Sequence, residues 1–171
     1  MIHCGPQPNS DLVEVSTGEV KLLRGPGILS AGAIGSCIAV VAFDQEMGCG
    51  GIAHVMLPGR ARKIDDPQRM RYAEDAIEEL FAQLALFGTD IATVQLTLVG
   101  AGNVLERPDD TICTGNIASV TDILKARGLA PGAVCLGGTS RRRVRLHLPS
   151  GRVECAIGDG AFFILNDGRR Q

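Results

Sequence analysis

Cys37 and His54 stand seventeen positions apart within SAGAIGSCIAVVAFDQEMGCGGIAHVML, residues Ser30 to Leu57 of a 171-residue chain. A thiol beside an imidazole is the smallest apparatus for covalent acyl chemistry, because the imidazole takes the thiol proton and sulfur attacks a carbonyl carbon. Cys37 heads the apolar run Ile38 to Phe43, and His54 lies inside a second run, Ile52 to Leu57. Both runs are short and rich in β-branched residues, so each reads as a buried strand. Asp44 to Gly51 has the composition of a turn, and the spacing predicts a hairpin that brings cysteine and histidine together. Gly35 and Ser36 let the chain turn sharply before the nucleophile, aiming backbone N–H groups near Gly35 to Cys37 at a substrate oxygen. Buried cysteines and core histidines are common on packing grounds alone. A purely structural cysteine, however, needs no such approach.

The elements that must position this pair are legible along the chain. Asp11 to Leu23 alternates partly and reads as an early strand or hairpin. Gly25, Pro26 and Gly27 turn, and Ile28 to Gly35 feeds the site. Its glycines are not followed by the lysine and hydroxyl residue of a phosphate loop. A helix is predicted over Pro67 to Phe87, with Asp66 as N-cap, Pro67 at the first helical position and Gly88 as stop. Apolar residues recur there from Ala73 to Leu84 at three- and four-residue steps, with Glu74, Asp75, Glu78 and Glu79 on other faces. Arg60 to Asp66 reads as a polar loop bordering the substrate groove. Thr93 to Val99 alternates as a strand, and Gly100 to Asn103 is a backbone turn rather than a dinucleotide fingerprint. A second helix is predicted over Asn116 to Arg127. Strands follow at Ala133 to Leu136, Val144 to Leu148 and Val153 to Ile157, the last two a hairpin through Pro149 to Gly151. Phe162 to Leu165 closes the chain as a docking apolar segment. Hairpin-like strand groups interrupted by two helices predict an α+β fold, a layered sandwich of mostly antiparallel strands, in a single domain spanning 1–171.

Composition narrows the partners. Hydrophobic residues make up 45% of the chain, enough for a sizeable core, but with no Trp and one Tyr it rests on aliphatic side chains. A formal charge of −2 argues against nonspecific nucleic-acid binding, which calls for a basic surface. No apolar run approaches membrane-spanning length, and Met1 to Ser10 lacks the pattern of a secretory leader. The expected setting is therefore cytoplasmic, without membrane insertion, with the six cysteines reduced. No C-x-x-C occurs. Cys37, Cys49 and His54 lack an evident fourth metal ligand, so no metal is expected. His3–Cys4 is left unassigned. Arg141, Arg142, Arg143 and Arg145 crowd the entrance to the late hairpin, reading either as a solvated strand end or as a docking rim for an acidic protein. His147 in that hairpin receives no catalytic role.

GSCIAVVAFD followed by GGIAHVMLPG resembles the opening of the CheD family, the chemoreceptor glutamine deamidases of prokaryotic chemotaxis. LVGAGNVL, GNIASVTDILKARGL and LGGTSRRRVRLHLPSGRVECAIG resemble its later segments, in the same order, over about residues 18 to 160. The resemblance implies a layered α/β sandwich with Cys37 as nucleophile and His54 as general base. The implied reaction converts receptor glutamine to glutamate through a thioester, releases ammonia and needs no cofactor. Its implied partners are the cytoplasmic helices of methyl-accepting chemoreceptors and a CheC-type phosphatase. The family's third catalytic residue is a threonine six positions before the cysteine. Here that position is Ala31, with Ser30 beside it, and the expected orienter of His54 is a backbone carbonyl near Ala31. Two other readings share these features: a cysteine amidase or protease of other specificity, and a non-catalytic module regulating a chemotaxis phosphatase.

Overall fold

Ile38–Asp44 and Cys49–Val55 are buried along their whole length, and this explains why neither run alternates. A computed structural model describes residues 12–169. The leader reading and the His3–Cys4 pair lie outside these residues. The strands are β1 (Leu12–Glu14), β2 (Val20–Arg24), β3 (Gly27–Ile34), β4 (Ile38–Asp44), β5 (Cys49–Val55), β6 (Gln95–Gly100), β7 (Ala133–Leu136), β8 (Arg142–Leu148), β9 (Arg152–Ile157) and β10 (Phe163–Asn166). The helices are α1 (Ala73–Leu86) and α2 (Thr111–Ala126).

They build two five-stranded sheets, ordered β1-β3-β8-β9-β10 and β2-β5-β4-β6-β7. Only the β1–β3 and β6–β7 pairings are parallel, as expected for a mostly antiparallel α+β sandwich. The second sheet is the middle layer. Ile38, Val40, Ala42, Ala53 and Val55 pack on one side against Ile77, Leu80, Leu84, Val120 and Leu124 of the helices. Ala39, Val41, Phe43 and Ile52 pack on the other side against Leu29, Val144, Leu146 and Val153 of the first sheet. β8 borders solvent on its outer face and alternates accordingly.

Several local expectations change, and α2 begins at Thr111 rather than Asn116. Asp11 to Leu23 does not form a hairpin: β1 pairs with β3 and β2 with β5, in different sheets. β5 begins at Cys49 rather than Ile52, because Gly50 and Gly51 are packing residues and not part of the turn. A β-carbon on Gly51 would come within 2.6 Å of Leu80, and one on Gly50 within 2.7 Å of the Ala42 carbonyl. Helix α1 begins at Ala73, not Pro67. Met56 and Leu57 both donate to the Arg71 carbonyl (2.9 and 2.8 Å) and Ala73 donates to Leu57 (2.9 Å), holding Tyr72 extended beside the exit of β5. Asp75, expected on an outer face of α1, is 3% exposed. Its carboxylate accepts from the Ala61 amide at 2.8 Å and so anchors the polar loop.

Candidate active site

Ala39 lies directly opposite His54 in the β4–β5 ladder. Side chains alternate along a strand, so Cys37, two residues before Ala39, shares that face and stands diagonal to His54. Both point into the layer between the sheets, where Cys37 packs against the aliphatic cluster. His54 is 1% exposed. Its Nδ1 lies 3.2 Å from the Val15 carbonyl oxygen and donates to it, since a carbonyl only accepts. That tautomer makes Nε2 the acceptor, and Nε2 is buried without a partner. The 15–19 turn is held over the histidine: Gly18 N–H donates to the His54 carbonyl (2.9 Å), and His54 N–H donates to that of Glu19 (3.0 Å). The Nδ1 partner is thus a carbonyl just beyond β1, not that of Ala31 or Ser30. Ala31 is fully buried in the inter-sheet core, while the Ser30 carbonyl fixes Val15 by accepting its N–H at 2.7 Å.

Burial dominates the electrostatics. It raises the Cys37 thiol above its ordinary 9.0, opposed by its own backbone N–H and by the Thr17 side chain. It lowers the His54 imidazole from 6.5, opposed by the Val15 carbonyl and, more weakly, by Glu14 and Glu19. Both shifts favour the uncharged forms, the Cys37 thiol and the neutral His54 imidazole.

Cys37 forms part of the wall of a cavity of about 530 Å³, with Gly35, Met56, Asn103 and the 109–113 segment around it. Val104, Leu105 and Ile112 give this cavity an exposed apolar rim (44%, 72% and 43% exposed). A cavity of about 570 Å³ between Thr93 and Arg169 carries neither cysteine nor histidine. Gly35 N–H, expected among the oxyanion donors, is committed to the Ala33 carbonyl at 3.1 Å.

Two positioning groups escaped the sequence reading. Asn116, fully buried on α2, donates through Nδ2 to the Ser36 carbonyl (2.9 Å) and the Met56 carbonyl (3.0 Å). It thereby ties the residue before Cys37 to the strand exit after His54. A polar residue in the otherwise apolar stripe of Ile117 and Val120 was the signal available for it. Gly100 has φ +133, and a β-carbon there would come 2.2 Å from the Cys37 carbonyl oxygen. That oxygen accepts from Ala101 N–H at 2.7 Å. The glycine is thus a close-approach residue behind Cys37, not merely a turn residue.

The arginine cluster divides between faces. Arg142 is 5% exposed and points inward, so it is no part of a docking rim. Arg141 pairs with Asp159 at 2.7 Å, and Arg143 and Arg145 lie over the Phe162 ring. His147 pairs with Glu154 at 2.9 Å. Cys49 bonds Thr89 at 3.5 Å and packs on the helix side of its sheet, away from Cys37 and His54. No described helix is long and apolar enough to cross a membrane.

Set beside known proteins, residues 56–156 match the model of a family described as CheD chemotactic sensory transduction. A probable chemoreceptor glutamine deamidase CheD of Chlorobium luteolum is 38% identical over 152 residues, covering 88% of this chain and 75% of the relative. The chemoreceptor glutamine deamidase CheD of Thermotoga maritima is 29% identical over 139 residues, covering 81% and 87%. A probable chemoreceptor glutamine deamidase CheD of a Jannaschia species is 31% identical over 154 residues, covering 89% and 86%.

Proposed function

The chain belongs to the CheD family, and on that premise we propose that it deamidates glutamine side chains of methyl-accepting chemoreceptors, with Cys37 as nucleophile and His54 as general base. Residues 1–171 act as one such domain. The observation that carries the reading is the unpartnered, buried Nε2 of His54 on the strand beside Cys37, which itself opens on the cavity.

The reaction follows from that geometry. A glutamine side chain enters past the apolar rim of Val104, Leu105 and Ile112, which suits the aliphatic flank of a receptor helix. As Sγ of Cys37 bonds to the carboxamide carbon, the thiol proton passes to Nε2. The amide oxygen takes the electron pair and is met by the N–H groups of Ser36 and Cys37. Collapse of this intermediate breaks the C–N bond. The imidazolium returns its proton to the leaving nitrogen, and ammonia departs from a thioester. Water, deprotonated by the same Nε2, attacks the thioester and restores the thiol, leaving glutamate. The Val15 carbonyl holds the imidazolium through Nδ1–H in both halves.

The test is incubation with a purified receptor cytoplasmic fragment, followed by peptide mapping and ammonia assay. The expected result is conversion of specific glutamines to glutamate, abolished in Cys37→Ala and His54→Ala with the fold retained. Hydrolysis of unrelated amides without receptor conversion would assign the site to another cysteine hydrolase. Receptor binding without conversion would make the chain a binding module.

A further inference from the structure

Arg142 is buried, and among the described residues no carboxylate lies within ion-pair distance of it. A buried charge without a counter-charge is costly, so what the guanidinium touches is informative. Its Nε donates to Cys135 Sγ at 3.3 Å, and a terminal nitrogen donates to the Ser140 carbonyl at 3.0 Å. Cys155 faces the same group: it stands opposite Val144 in the β8–β9 ladder, diagonal to Arg142 on one face, and packs in the cluster that Cys135 joins. Burial pushes its thiol up to about 12, the adjacent Cys135 adds to that, and Arg142 opposes it. Cys135 is half-buried on β7, at the edge of the middle sheet. Cys155 is fully buried on β9 of the other sheet and faces the same inter-sheet layer. A partly exposed sulfur beside a cationic donor is the setting in which cysteines react, and this one has a second thiol beside it.

We propose that Cys135 and Cys155 are a redox-active thiol pair, which a hydroperoxide oxidises to a disulfide joining the two sheets. The Cys135 sulfur, held by the Arg142 Nε–H, attacks one peroxide oxygen as its proton passes to the departing oxygen. The O–O bond breaks, giving Cys135 sulfenic acid and an alcohol, or water from hydrogen peroxide. The Cys155 sulfur then attacks the sulfenic sulfur, the S–O bond breaks, and the hydroxyl leaves as water with the Cys155 proton. Two thiols and one hydroperoxide yield one disulfide, one alcohol and one water. β7 leaves this pair toward the Cys37 cavity: Gly137 N–H donates to the Gly100 carbonyl (3.0 Å), and Asn103 N–H to that of Gly138 (2.8 Å).

The experiment treats folded wild type and a Cys37→Ser chain with hydrogen peroxide, alkylates the remaining thiols, and maps peptides without reductant. The expected product is the Cys135 peptide joined to the Cys155 peptide in both chains, dissolved by reductant. Cys155→Ala should stop the reaction at Cys135 sulfenic acid, trapped by dimedone, while Cys135→Ser should leave Cys155 reduced. Arg142→Gln should slow disulfide formation about tenfold, with Arg142→Lys intermediate. The proposal is overturned if wild type keeps Cys135 and Cys155 alkylatable after peroxide, or if either cysteine crosslinks to a different partner. Wild-type mapping decides the question whether or not the variants fold.

Discussion

Nδ1 of His54 lies 3.2 Å from the carbonyl oxygen of Val15, an acceptor delivered just beyond β1 from the opposite sheet. A main-chain acceptor cannot be removed by trimming a side chain, and it selects the tautomer in which the buried Nε2 is the acceptor.

Ser30→Ala should therefore leave single-turnover ammonia release within about twofold of wild type, roughly 0.4 kcal/mol of barrier. Ala31→Thr should not raise the rate. Position 31 is fully buried between the sheets, and the added atoms overpack it at a cost of about 1–3 kcal/mol. A collapse of the rate in Ser30→Ala would make that hydroxyl the orienter instead.

The opposed shifts of the two reactive groups set the pH behaviour. With His54 lowered below 6.5, the general base stays neutral as pH falls through 6.5, so the acid limb of kcat/KM lies below that value. With Cys37 raised above 9.0, its alkylation by iodoacetamide should reach half-maximum above pH 9.0. Thr17→Val removes a group that opposes the rise and should move that midpoint higher still. Stability carries the same sign for histidine. Below pH 6.5 the unfolded chain takes up a proton that folded His54 refuses, so His54 makes stability decline as pH falls from 6.5 to the lowered value. A thiol midpoint below 9.0 would contradict the neutral-pair reading.

Asn116→Ala deletes both donors that tie α2 to Ser36 and Met56. Two carbonyls lose their partner, but the unpaired Asn116 Oδ1 is lost as well. The net expectation is about 2 kcal/mol of destabilisation, read as a shift in urea midpoint. Deamidation should fall about tenfold in kcat, because the nucleophile and base backbones lose their common brace. Asn116→Asp should be worse, since it aims a carboxylate at two carbonyl oxygens.

Gly100→Ala and Gly128→Ala separate backbone strain from contact. Both glycines have positive φ (+133 and +70), but nothing lies within 4 Å of a β-carbon at 128, whereas one at 100 meets the Cys37 carbonyl. Gly128→Ala should cost about 1 kcal/mol and leave activity intact. Gly100→Ala should cost at least about 3 kcal/mol and suppress thiol reactivity. Thermal unfolding with Cys37 alkylation distinguishes the two.

The central hairpin was legible because its two strands carry short apolar runs around a turn, although β5 starts three residues before its run, and Cys37 and His54 are marked by residue type. The α+β class followed from hairpin-grouped strands between two apolar-striped helices. Local pattern carries those features, since period and composition arise from each element burying one or both faces. The start of α1 was misread for the converse reason. Asp66 and Pro67 satisfy every local rule for a helix start, yet three hydrogen bonds from the β5 exit hold residues up to Tyr72 out of the helix. Arg142 reads as one of four similar arginines until the β8 alternation turns it inward and its neighbours outward.

What the sequence by itself determined is the chemistry on offer: a thiol and an imidazole on adjoining strands, within a two-helix, strand-rich domain. What only the tertiary structure decided is the state and support of that chemistry. Burial between two sheets pushes the Cys37 thiol up and the His54 imidazole down. A carbonyl from β1's end, thirty-nine positions before His54, sets the tautomer. An asparagine eighty positions after Ser36 braces the nucleophile's backbone. Desolvation and main-chain hydrogen bonding act through space, and a carbonyl is present at every residue, so no residue type in the sequence marks which one will be used.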